Sequence, residues 1–133
     1  MTLDRTRARN IADNALHALG TTTPCVSPLR VRLMTTVGSA TANGTELATS
    51  GGYTAGAAAP TVTMGAADTT GTSTNTTAVT VTNMPATTIN GIETWDSTGT
   101  PIRQELGTLA APKTTAAGDT LSFAVAAISS VLA

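Results

Sequence analysis

Aromatic side chains are almost missing from this sequence, which has one Trp, one Tyr and one Phe in 133 residues, and only 11% of its residues are charged. A core must then be built from Val, Ile, Leu, Met and Ala, small and close-packed. Burial on that scale leaves a lone copy marginal and favours self-association or docking on a larger surface. A single cysteine, Cys25, excludes an intrachain disulfide framework. One histidine, His17, beside one thiol makes neither a zinc site nor an oriented Cys–His nucleophile. Asp96-Ser97-Thr98-Gly99 lacks the acidic spacing of a calcium loop, and no Gly-rich phosphate loop opens a helix. Glu46, Glu93, Asp96 and Glu105 are the carboxylates available for a glycosidase pair. Tyr53 and Trp95 alone, however, supply little of the stacking platform a sugar cleft uses. No enzyme, cofactor or metal is expected.

Long apolar runs are missing as well. The C-terminal apolar stretch is about 13 residues, short of the ~18–20 that span a bilayer. The first twenty residues carry Asp and Arg throughout, without a signal peptide's apolar run. Synthesis and folding in a cytosol, without a membrane partner, is the expectation.

Thr and Ala dominate instead, at about 40% of the chain. Thr in excess over Lys and Glu argues for strands, because a β-branched side chain suits a pleated, half-exposed surface. Net charge is −1 and unevenly spread. Arg5, Arg7, Arg9, Arg30 and Arg32 face only Asp4 and Asp13 in the first 32 residues, whereas the remainder holds two basic and six acidic residues. The front is basic and the body acidic. Three helix arginines without interleaved aromatics make a poor nucleic-acid footprint. Asn43-Gly44-Thr45 and Asn75-Thr76-Thr77 match the N-glycosylation pattern, as chance provides in a Thr-rich chain.

Residues 2–19 read as a helix: Thr2 as cap, Asp4 in the first turn, Gly20 as stop, and an apolar stripe through Ile11, Ala15 and Leu19. The stripe is thin and needs a surface to lie on. Strands are predicted over 29–37, where Val31 and Leu33 alternate with Arg30 and Arg32, and over 60–65, 78–82, 89–95 and 102–106. Tyr53 is expected to pack with its hydroxyl at the surface, and 67–77 to form a long loop or hairpin tip. Asn90-Gly91 reads as a bulge or Gly-relieved strand. Gly118-Asp119 is turn chemistry leading into a core strand, 121–125, with Leu121, Phe123 and Val125 inward. The apolar phase slips before Ile128, which predicts a bulge or a break before a last strand. Seven or eight short strands after one helix indicate a mainly β chain: an antiparallel β-sandwich, jelly-roll-like or immunoglobulin-like, over 29–133, preceded by a helical arm over 1–28.

Several blocks carry a resemblance. Gly44-Thr45-Glu46-Leu47 with Ser50-Gly51-Gly52-Tyr53, Val62 to Ala67, Ile92 to Ser97, Leu106 to Leu109 with Pro112-Lys113, and Ala117 to Phe123 stand in an order that resembles small virion proteins of tailed bacteriophages, particularly those of actinobacteria. Such proteins are labelled tail fibre, head fibre, minor capsid or capsid decoration proteins. The resemblance runs from about Leu29 to the C-terminus. It departs at Arg103-Gln104-Glu105-Leu106, where members often carry an aromatic after paired leucines. It implies a non-enzymatic virion structural protein, made in the host bacterial cytoplasm. Arg5, Arg7 and Arg9, with Arg30 and Arg32, would dock on the acidic surface of the major capsid protein, and the β body would self-associate as a homotrimer or other homo-oligomer. The alternative is a tail-fibre or tail-tip module that binds a receptor or glycan. A secreted carbohydrate-active domain is disfavoured by the missing signal peptide.

Overall fold

The computed structural model describes residues 1–5, 8 and 24–131. The chain is mainly β and antiparallel, as its Thr-rich alternation predicts. The strands are β1 (Thr2–Leu3), β2 (Leu29–Thr36), β3 (Thr45–Glu46), β4 (Thr61–Val62), β5 (Thr72–Thr74), β6 (Val79–Val81), β7 (Thr87–Trp95), β8 (Arg103–Thr115), β9 (Leu121–Phe123) and β10 (Ser129–Val131). Six of them form one sheet in the order β1-β8-β7-β2-β3, with β4 also pairing β2; β5 with β10 and β6 with β9 form two smaller sheets. Period-2 alternation points Val31 and Leu33 of β2 into the core, where they join Ile89 and Ile92 of β7, Val79 and Val81 of β6, and Leu121 of β9.

The helix expected over 2–19 does not begin at Thr2: Arg5 and Ala8 are helical among the described residues, but the first two positions are not. Thr2 and Leu3 lie instead as a strand against Leu106 and Glu105 at the edge of β8. The physical reason is the edge itself, whose unpaired backbone groups take up Thr2 and Leu3 as an extended pair in place of a first helical turn. Asp4 directs its Oδ2 at Arg103, accepting from Nη2 at 2.8 Å. The Ala8 N–H donates to the Asp4 carbonyl at 2.8 Å, a helical bond that follows β1. The rest of that expected helix, positions 6–7 and 9–19, lies outside the described residues.

Three further expectations change. Tyr53 is fully buried, not surface-tipped: its hydroxyl accepts from the Leu33 N–H at 3.1 Å and donates to Glu46 Oε1 at 2.8 Å. The strand predicted over 102–106 runs on to Thr115, because β7 is long enough to pair with it at both ends of a bulge. Val125 faces solvent at 59% exposure, since β9 ends at Phe123 and Ala126 turns the chain with φ 62°. Asn75, wholly buried, receives that break: its Nδ2 donates to the Ala124 carbonyl and its Oδ1 accepts from the Ile128 N–H. Burial and these bonds also remove Asn75 as a glycan acceptor.

The loop before β5 closes on Asp68, whose carboxylate accepts from the Thr70 hydroxyl and from the Thr72 and Thr70 N–H groups. Those donors hold its carboxyl below the ordinary range. The Asn90-Gly91 irregularity is present: β7 shifts register between Ile89 and Gly91. A Cβ at Gly91 would meet the Gly107 carbonyl oxygen at 2.5 Å and Val37 Cγ2 at 2.6 Å, so β7 and β8 approach there only because position 91 has no side chain.

Gly91→Ala is therefore expected to cost about 2 kcal/mol through overpacking against backbone that cannot yield, read as a lower urea midpoint. Gly99→Ala, where no atom lies within 4 Å of the added Cβ, serves as the near-neutral comparison.

Burial pushes the Tyr53 hydroxyl far above its ordinary 10.0, reinforced by the Glu46 carboxylate. An acid whose folded pKa is raised contributes full stability below its unfolded pKa and loses it as pH climbs beyond. Because the chain has one tyrosine, tyrosinate absorbance isolates this group. Its appearance is expected to coincide with alkaline unfolding well above pH 10; a midpoint at the free-phenol value in a folded chain would contradict the buried hydroxyl.

Candidate functional site

The face of the six-stranded sheet opposite Val31 and Leu33 is polar. Strand pairing sets Arg32 opposite Glu93, Arg30 opposite Trp95 and Trp95 opposite Arg103. The segment between β2 and β3 folds over this face, helped by Gly44, whose missing Cβ would meet the Thr36 carbonyl oxygen at 2.3 Å.

Arg103 is the centre. Its side chain is 3% exposed, and its guanidinium reaches Glu93 Oε1 at 3.0 Å, Asp4 Oδ2 at 2.8 Å, and the carbonyls of Ala42 and Ser39 at 2.9 and 2.7 Å. Burial alone would lower its pKa; the hydrogen bonds to Asp4 and Glu93 outweigh that and hold the cation above its ordinary value. Glu93 is equally saturated. Oε1 also accepts from the Gly44 N–H at 3.0 Å, and Oε2 accepts from the Trp95 indole N–H at 3.0 Å. One ion pair thus joins β7, β8, the N-terminal segment and the 39–44 loop.

Beside it, Arg32 lies with its guanidinium carbon 4.0 Å from the Trp95 ring centroid and its Nη1 3.5 Å from Glu46 Oε2. Its Nε is buried and unpartnered among the described residues. Glu46 Oε1 accepts from the Tyr53 hydroxyl and from the Gly56 N–H, both at 2.8 Å. Arg32, Asn43, Glu46 and Trp95 border a surface pocket of about 120 Å³, floored by Met34.

Of the five arginines expected to dock, the two on β2 are engaged within the sheet. Arg30 donates to the Ala59 carbonyl at 3.0 Å and to Ser97 Oγ at 3.4 Å, and Arg32 is engaged as above. Arg5 is exposed, with its backbone N–H on the Ala40 carbonyl at 3.1 Å. Arg7 and Arg9 lie outside the described residues, as does His17. Cys25 is exposed beside a groove that includes Pro28, Val62 and Met64. Of the carboxylates considered together, Glu46 and Glu93 share the pocket, Asp96 organises its turn by accepting from Thr98 and Ile102, and Glu105 bonds Ser130. No group of three metal-ligating side chains occurs among the described residues. Sequence reasoning missed Arg103 as the centre; its one signal is that no other arginine follows Arg32.

No protein-family model, curated protein or solved structure matches this chain.

Removing one member of a buried pair leaves the other uncompensated. Arg103→Ala is expected to cost about 3–5 kcal/mol, stranding Glu93 and two carbonyls. Asp4→Ala, at a more exposed carboxylate, is expected to cost about 1 kcal/mol. Chemical denaturation of both variants checks the order; equal losses would contradict the central place of Glu93.

Proposed function

We propose that this chain is a non-enzymatic structural protein of a bacteriophage virion, a capsid decoration or minor capsid protein that docks on the head and associates with copies of itself. The observation that supports this reading is the anchoring of the N-terminus. β1 and the Asp4–Arg103 pair hold the first four residues on the sheet, and the next residue, Arg5, stands exposed at the surface. The basic run Arg5, Arg7, Arg9 then has a fixed root. Arg30 and Arg32 are engaged within the sheet, so docking rests on the N-terminal three.

The partner is the acidic surface of the major capsid protein rather than nucleic acid or membrane, and the chain reaches the virion from the host bacterial cytoplasm. The finer architecture in this reading is an antiparallel sandwich, jelly-roll-like or immunoglobulin-like, with the six-stranded sheet over the β6–β9 pair. Copies associate as a homotrimer through faces rather than edges. Beyond Leu106 the outer side of β8 carries Pro112, which lacks an N–H, and the charged Lys113, both of which discourage edge pairing.

Replacing Arg5, Arg7 and Arg9 together by Glu is expected to abolish binding to particles while circular dichroism retains the β signature. Unchanged particle occupancy by a folded triple variant would overturn the docking reading.

A further inference from the structure

The pocket between Arg32 and Trp95 is a second candidate site, separate in chemistry from the docking arm and independent of it. Its lining sorts into committed and available groups. Glu93 is fully used by Arg103, Gly44 and Trp95. Among the described residues, Glu46 Oε2 has only Arg32, at 3.5 Å, and Arg32 has only that long bond besides its stack on Trp95. The Asn43 side chain is exposed at the rim and can donate and accept.

A ligand must therefore accept from a guanidinium and donate to a carboxylate standing beside it. An anion meets two carboxylates, and a cation meets Arg32. A hydroxyl does both tasks without charge, and neighbouring hydroxyls on a ring suit a guanidinium, carboxylate and carboxamide spaced around one opening. The half-buried indole of Trp95 supplies apolar surface for the ring's C–H groups, with the buried Met34 beneath. At about 120 Å³ the space takes part of one sugar unit, not an oligosaccharide. We infer that this pocket binds a single neutral pyranose, as a terminal residue of a glycan, through Arg32, Asn43 and Glu46 with Trp95 as its apolar wall.

The only tryptophan of the chain lies in the wall, so intrinsic fluorescence reports occupancy directly. The full chain is titrated with methyl α-glucopyranoside, methyl β-galactopyranoside, methyl α-mannopyranoside, N-acetylglucosamine and L-rhamnose, with sorbitol as an acyclic control. At least one pyranose is expected to give a saturable change with a millimolar Kd, as few contacts allow. Asn43→Ala, at an exposed position, is expected to weaken it about fivefold, the loss of roughly one hydrogen bond. Glu46→Gln retains an acceptor for Tyr53 and is expected to weaken binding while thermal unfolding reports its fold. No saturable response from any pyranose, an equal response to sorbitol, or unchanged affinity in Asn43→Ala would each overturn the assignment. Particle docking would be untouched by any of these results.

Discussion

The Arg103–Glu93 pair constrains more of this chain than any hydrophobic contact does. A buried guanidinium has five donors in a fixed plane, and leaving them unpaired is costly, so its acceptors must be delivered to set positions. Here they come from β7, the 39–44 loop and the N-terminal segment. Glu93 in turn orients the Trp95 indole and draws in the Gly44 backbone. The polar face of the sheet is therefore held by electrostatic pairing, while the opposite face is held by apolar packing.

That division suits a chain with so few large side chains. The core cluster depends on Val, Ile, Leu and Met plus one tyrosine, and Tyr53 ties that core to the polar face by bonding Leu33 and Glu46 together. Asn75 plays the matching part at the other end, completing backbone pairing where β9 stops and β10 begins. Polar groups at fixed points replace what aromatic bulk would otherwise provide. Each is satisfied on nearly every atom, which is the condition for a buried polar group to add order rather than cost.

The N-terminus depends on the same arrangement. Pairing of β1 with β8 and the Asp4 contact fix the position of Arg5, which follows them. The same hub that holds Asp4 also holds Trp95 and Gly44, which border the pocket. The proposed docking segment and the pocket thus both depend on one buried ion pair.

Local alternation by itself determined much of the β content. Val31 and Leu33, Val79 and Val81, and Leu121 and Phe123 occupy strands because period-2 patterns of β-branched and apolar residues permit little else, and Asn90-Gly91 marked a real irregularity in β7. Thr2 and Leu3 were misread because local spacing carries no information about an open strand edge elsewhere in the chain. Val125 fitted the alternation but not the strand, whose end is set by Asn75 fifty residues earlier. The identity of the buried arginine was equally illegible. Arg30, Arg32 and Arg103 are alike in sequence, and only the meeting of Asp4, Glu93 and two loop carbonyls around one of them decided which would be desolvated, a choice that depends on long-range pairing and not on any neighbour in the chain.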